Sequence, residues 1–420
     1  MGTMGAAAEP VARETGAAQR WLAIVGIGED GVAGLSEAAR EQVAAADIVF
    51  GGRRHLALAA PLIRGVTRAW PSPFDRAVEE VLAQRGRRVC VLASGDPYCY
   101  GVGSVLARHV DPDEMLAIPA PSAFSLAASR LGWALPETTL LSLHGRSLDL
   151  VRPHLHPHAR VLALMSDGTA PAALARLLAD AGFGESRLTV LEALGGPREH
   201  VQVANADKFN LGAISDLNLV AIEVAAADRI PPIISRAPGL ADSFFEHDGQ
   251  LTKREVRAIT LSSLAPRRGE LLWDIGAGAG SVAIEWMLAD SSLRAIAIER
   301  APERAARIRR NATALGVPAL QVIEAEAPSA LRDLPPPGAI FVGGGASDIG
   351  VLDAAVAALP ADGRLVVNAV TLATESTLLA RHAALGGELI RIAITRAQPI
   401  GSERGWRPAL PITQWRWVKP

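Results

Sequence analysis

The 420-residue chain reads as two α/β units in series. Short apolar runs, such as Trp21–Val25 and Leu271–Ile275, alternate with segments of helical spacing. Several of these runs end in glycine-rich loops. A stretch from Arg229 to Gly239, RIPPIISRAPG, has no helical pattern, and its Pro231-Pro232 pair forces an extended path. At roughly 100–200 residues per domain, the length accommodates two such units. The boundaries that follow are a first unit over 21–227, a linker over 228–239 and a second unit over 240–420.

In the first unit, Trp21–Val25 is a buried-strand run that ends in Gly26-Ile27-Gly28. Ser36 is placed to cap a helix, with Glu37 and Glu41 in its first turns, where acids are favourable. Asp47–Phe50 and Arg88–Ala93 are strands. The latter is continuously apolar, as parallel strands covered on both faces are. Helical segments are expected over Gly101–His109, Ser122–Leu131 and Pro171–Ala181. Further strands are expected over Thr139–Leu143, Arg160–Met165, Ser186–Leu191 and Leu219–Ala225.

The second unit alternates more plainly. Strands are expected over Leu271–Ile275, Leu293–Glu299, Leu320–Ala325, Ala339–Val342, Arg364–Asn368 and Leu389–Ala393. Helices are expected over Ser281–Leu288, Pro302–Leu315, Ile349–Leu359 and Thr371–Leu385, the second opening on a proline whose missing N–H costs nothing there. Gln414–Val418, with Trp415 and Trp417 on one face, reads as a closing edge strand. The whole is a Rossmann-like, doubly wound sheet.

Composition narrows the function. Basic residues number 42 and acidic residues 44, a net charge of -2, and neither half carries the basic excess of a phosphate-backbone reader. Nucleic acid is not the expected main partner. No apolar run reaches the ~18 residues of a membrane span. The first 20 residues are rich in Ala and Gly, read as a frayed tail, and show no basic-then-apolar leader pattern. Only two cysteines are present, Cys90 and Cys99, which fits a reducing cytoplasm. His154, His156 and His158 alternate, but Pro153 and Pro157 break any strand there, and no metal is expected.

The strongest chemical signal is Asp274-Ile275-Gly276-Ala277-Gly278-Ala279-Gly280, at a strand-to-helix junction, with Glu299 ending the next strand. Small residues let a ligand reach the backbone, and the helix N-terminus offers N–H groups to an anion. The acid after the second strand can accept both hydroxyls of a ribose. The spacing G-x-G-x-G differs from the G-x-G-x-x-G of nicotinamide sites, and it resembles class I S-adenosylmethionine (SAM) methyltransferases. In the first unit, Gly26 and Gly28, Ser94-Gly95-Asp96-Pro97, Pro121-Ser122-Ala123 and Met165-Ser166 all stand at the carboxyl ends of strands, where open α/β sheets bind ligands. Together they resemble the tetrapyrrole methylase family, whose fold has two α/β subdomains with SAM in the cleft between them. That resemblance implies that Gly95, Asp96, Ser122 and Met165 line a SAM pocket. Glu29-Asp30 stands where the family commonly has Pro-Gly.

The fusion of the two units resembles the decarboxylating precorrin C5,15-methyltransferases of cobalamin biosynthesis. Leu251–Arg257, Glu324–Pro328 and Phe341–Gly345 add to the likeness, which spans 21–418. It implies that Thr252 and Ala327 join the glycine loop and Glu299 around SAM, with Ala325-Glu326 in place of the family's Gly-Asp. It further implies methylation of precorrin-6B at C5 by the first unit. The second unit would methylate C15 and decarboxylate the ring C acetate, to give precorrin-8. Related methylases form dimers, so a homo-oligomer is expected.

A sulfonium methyl is already activated, so positioning is the main requirement. Decarboxylation calls for a proton donor, and Glu246 and His247, just before Thr252, are candidates against the plainer reading of a solvated loop. The substrate's carboxylates call for arginine forks and backbone N–H groups; Gly343, Gly344, Gly345 and Arg404 are the candidates. Two alternatives stay open: a methyltransferase acting on another macrocycle or a small RNA, and a SAM-sensing scaffold with one silent half.

Overall fold

A computed structural model describes residues 20–71, 74–227 and 229–420. Most of the expected N-terminal tail and Asp228, the first linker residue, lie outside the described residues. The chain forms two compact units. The first comprises the residues up to Gly145, Ala159–Ala179 and Gly184–Glu223; the second comprises Arg146–His158, Asp180–Phe183 and Val224–Pro420. Residues 229–239 carry neither helix nor strand and cluster with the second unit, where Ile234 joins the core.

The first unit contains two sheets. Strands β1 (Leu22–Ile27), β2 (Ile48–Gly51), β3 (Val66–Ala69), β4 (Val89–Ser94) and β5 (Met115–Ile118) form an all-parallel sheet in the order β3-β2-β4-β1-β5. Around it lie α1 (Glu37–Ala45), α2 (Arg53–Ala59), α3 (Ala77–Leu82) and α4 (Gly103–Leu106). Ser36 caps α1 as expected, its Oγ accepting from the Ala39 N–H at 3.2 Å, an interaction worth about 1 kcal/mol. The helix expected over Gly101–His109 is shorter, Gly103–Leu106, and it follows a turn in which the Gly103 N–H donates to the Pro97 carbonyl at 3.0 Å. The second sheet, β6 (Thr139–Ser142), β7 (Arg160–Leu164), β8 (Arg187–Glu192), β9 (His200–Asn205) and β10 (Asn218–Glu223), is mixed, in the order β6-β7-β10-β8-β9. Helix α5 (Ala123–Leu131) packs Phe124 and Ala127 on it, and α6 (Ala170–Asp180) is the other long helix here.

In the second unit, β11 (Leu271–Ile275), β12 (Arg294–Glu299), β13 (Gln321–Glu324), β14 (Ala339–Val342), β15 (Arg364–Ala369), β16 (Glu388–Ile392) and β19 (Ile412–Val418) form one sheet, in the order β13-β12-β11-β14-β15-β19-β16. Strands β17 (Thr395–Ile400) and β18 (Glu403–Pro408) make a separate hairpin. Helices α7 (Arg254–Leu264), α8 (Ser281–Ala289) and α9 (Pro302–Ala314) cover one face, while α10 (Val351–Ala358) and α11 (Leu372–Leu385) cover the other. Burial on both faces explains why β11 reads as the run LLWDI, interrupted only by Asp274.

The strand over 414–418 is not the edge expected of it. Strand β19 lies inside the sheet, antiparallel to β15 and β16 on either side. Its polar face is also buried: Gln414 donates to Thr260 Oγ1 at 3.1 Å and Asn368 Oδ1 at 2.9 Å, and accepts from Ser263 Oγ at 2.7 Å. A fully satisfied buried amide mimics the alternation of an exposed strand.

Candidate active sites

In the second unit the strand order reverses between β11 and β14, and the loops after these two strands meet there, at the carboxyl edge of the sheet. Gly276 and Gly278 hold φ of +67° and +61°, and a Cβ on Gly276 would stand 2.7 Å from the Gly344 carbonyl oxygen. Glycine is therefore required where the two loops touch. Glu299, at the end of β12, is 4% exposed. Its Oε2 accepts from the Gly278 N–H at 2.9 Å and its Oε1 from the Ala301 N–H at 3.0 Å. Each oxygen keeps a lone pair for a hydroxyl donor. Asp274 lies beneath the loop, wholly buried, with Oδ2 accepting from the Ala283 N–H at 3.1 Å. Burial, aided by nearby Glu299, pushes its carboxyl up to about 7.

These loops wall a cavity of about 710 Å3, lined among others by Thr252, Gly276, Gly278, Glu299, Ala327 and Gly343 to Gly345. Asp274 and Gly280 support it from below: Gly280 starts α8, where a Cβ would strike Ile308. Glu246 and His247 do not line it. Glu246 is held by the Arg310 guanidinium at 2.8 Å, which keeps its carboxyl below the usual range, and His247 Nδ1 accepts from the Gly249 N–H. Arg404, on β18, is exposed and also absent from the lining. Arg396, one strand earlier, does line the cavity and pairs with Glu255. Sequence reading missed it because a charged residue on an exposed hairpin leaves no periodic signal.

Arg257 holds the segment that brings Thr252 to the cavity. It is fully buried, donates to Glu285 Oε1 at 2.6 Å, and donates to the carbonyls of Thr252 and Leu240. Glu285 in turn accepts from the Gly239 and Leu240 N–H groups at 2.6 and 2.9 Å. Asn311 adds a tie between Glu246 and the Ala279 carbonyl.

In the first unit, the loops after β1 and β4 again flank the point where strand order reverses. A cavity of about 390 Å3 lies there, lined among others by Gly28, Glu29, Gly95, Ser122 and Met165. Gly95 takes φ +55°. Gly26 and Asp96 are not on the wall. A Cβ on Gly26 would lie 1.9 Å from the Gly95 oxygen, so Gly26 is needed for packing, while Asp96 Oδ1 accepts from the Tyr98 N–H at 2.8 Å and holds the Gly-Asp-Pro turn. Ser122 caps α5 by accepting from the Ser125 N–H at 3.1 Å. Met165 is buried at the end of β7.

Glu29, which departs from the common family pattern, is buried and paired with Arg54 and, at 3.4 Å, with Arg198. Arg54 also donates to Ser94 Oγ at 2.8 Å. Burial, with Arg54 beside it, pulls the adjacent His55 down to about 4, so His55 is neutral at pH 7. The sequence reading noted Glu29 only as a departure and missed Arg54, because a pair 25 residues apart shows only once the loops are folded together.

Comparison with known proteins follows this division. The model of the tetrapyrrole (corrin/porphyrin) methylases matches residues 22–210, and that of the precorrin methyltransferase domain matches residues 243–419. A precorrin-6Y C(5,15)-methyltransferase [decarboxylating] from Sinorhizobium sp is 61% identical over 399 residues, covering 95% of this chain and 96% of that protein. A cobalt-precorrin-7 C(5)-methyltransferase of Salmonella typhimurium is 30% identical over 46% of this chain and 96% of its own length. A probable cobalt-precorrin-6B C(15)-methyltransferase (decarboxylating) of Saccharolobus solfataricus is 34% identical over 36% of this chain and 78% of its own. Fold, sites and matches together define a methyltransferase with two methylase units in one chain. The chain belongs to the precorrin-6Y C(5,15)-methyltransferase [decarboxylating] family.

Proposed function

We propose that this chain methylates precorrin-6B at C5 and C15 and decarboxylates the ring C acetate to give precorrin-8, with SAM as methyl donor to both units. The first unit acts at C5, and the second unit performs the C15 methylation and the decarboxylation. The observation that carries this reading is the presence of two cavities in one chain, each at the carboxyl ends of parallel strands where the strand order reverses.

The residues present fit the donor. Gly276 and Gly278 form a cradle that side chains would fill, and Glu299 keeps acceptor capacity for ribose hydroxyls. Thr252 and Ala327 complete that wall; Gly28, Gly95, Ser122 and Met165 are the counterparts in the first unit. When bound, SAM supplies an electrophilic methyl group. The chain's own contribution is to hold a ring carbon in line with it and exclude water, a proximity effect that can supply most of the rate gain.

Substrate carboxylates are held in the second unit by Arg396 and by the backbone of Gly343 to Gly345, with Glu255 as the partner that Arg396 gives up on binding. Among the described residues no helix is long and apolar enough to cross a membrane, and no group of three or more His, Cys, Asp or Glu is placed to hold a metal. A cytoplasmic homo-oligomer completes the proposal. Incubation of the full chain with SAM and precorrin-6B, followed by mass spectrometry, tests it. Gain of two methyl groups with loss of CO2 is the expected result; an unchanged substrate mass would refute it.

A further inference from the structure

Replacing the hydrogen on C5 with a methyl group releases a proton, and something in the first unit has to take it. We propose that His144 is the general base for methylation in the first unit, acting through Nε2; this rests on the function proposed above.

His144 follows β6 and lines the first-unit cavity with Met165 and Ser122. Its backbone is fixed on both sides: the Leu143 N–H donates to the Leu164 carbonyl at 2.9 Å, and the Gly145 N–H donates to Ser166 Oγ at 3.0 Å. Its ring is oriented by Nδ1, which stands 3.1 Å from the Met165 carbonyl oxygen. A carbonyl only accepts, so Nδ1 carries the hydrogen. In the neutral ring Nε2 is then an unprotonated acceptor. Nε2 has no hydrogen-bond partner among the described residues. The tautomer a base requires is therefore set by the backbone of a residue that itself faces the cavity.

The other titratable groups on this wall are poorer bases. Glu29 is neutralised by Arg54 and Arg198. Asp216 Oδ1 accepts from the Gly168 N–H at 3.1 Å, and a carboxylate is intrinsically a weaker base than a neutral imidazole. Cys99 is held as a thiol, its pKa raised first by burial and then by Asp96.

The step balances as follows. The ring π electrons at C5 form the new bond to the sulfonium methyl, and the methyl–sulfur bond breaks with its pair left on sulfur. The C5–H bond then breaks, its electrons return to the conjugated ring, and the proton passes to Nε2. His144 is itself exposed, so the resulting imidazolium returns its proton to water.

The test uses the full chain with SAM and precorrin-6B, comparing wild type with His144→Ala and His144→Gln by mass spectrometry over time. Loss of a positioned base is expected to slow methylation at C5 by about 100-fold or more. The product should then carry one methyl and lack CO2, because the second unit still works. Added imidazole should speed the Ala variant, and titration with SAM should still find the first site occupied. C5 methylation at the wild-type rate in both variants would overturn the proposal. So would loss of SAM binding at the first site, which would make His144 a structural residue. Failure of wild type itself to methylate C5 would instead strike the parent reading.

Discussion

Asp274 shows how one buried acid shapes the behaviour of the second unit. Its raised pKa means that the native state keeps a proton which the unfolded chain, with an ordinary value of 3.8, has already lost. Between 3.8 and about 7 the native state thus binds more protons, and stability falls as pH rises through that window. Asp274→Asn removes the titration while retaining a carbonyl acceptor for the Ala283 N–H. The stability of the Asn variant relative to wild type is expected to climb from pH 4 to pH 7 in urea denaturation. A difference that stays level across that range would show that Asp274 ionises normally. Residue types at this scale were legible where chemistry forces them. Gly276 and Gly278 stood out because the left-handed backbone and the close approach to Gly344 admit only glycine, and Glu299 because an acid ends a buried strand beside that loop. The pairing of Glu29 with Arg54 and the orientation of His144 were not, since both depend on loops that meet only in three dimensions.

Among the elements, the segment before α7 is the one whose position depends most on a single side chain. Arg257 and Glu285 form a buried ion pair; Arg257 also donates to Asp242 Oδ1 at 3.3 Å and to the carbonyls of Leu240 and Thr252, and Glu285 accepts from the Gly239 and Leu240 N–H groups. Removing Arg257 leaves the Glu285 carboxylate buried without a cation, which costs about 3–5 kcal/mol. Arg257→Ala is expected to lose that much stability in the second unit's unfolding transition and to weaken the donor site there through Thr252, while the first unit's site is untouched. A loss under about 1 kcal/mol would show that water reaches Glu285 and takes over. The strands covered on both faces were readable, β14 being an unbroken apolar run and β11 one interrupted only by Asp274. Strand β3, exposed along its whole length, and the β17–β18 hairpin, mostly exposed, carry no such run and went unseen. Strand β19 misled for the opposite reason, because its buried Gln414 looks like a solvent-facing residue.

At the scale of the whole chain, both units place their glycine loops at the point where strand order reverses, by different routes. In the first unit the cavity wall draws on both sheets, with Gly95 from one and Met165 from the other. In the second a single sheet supplies the cradle and Glu299. This duality was legible because each loop follows an apolar run; the exact extent of each unit was not, because residues such as 146–158 cluster with the second unit although they precede it in sequence. The most direct test is calorimetric titration of the full chain with SAM, wild type beside Gly278→Arg. Wild type should bind two molecules per chain, and the variant one, since an arginine at φ +61° fills only the second cradle. A single site in wild type, or two undiminished sites in the variant, would contradict the assignment of one methyl-donor pocket to each unit.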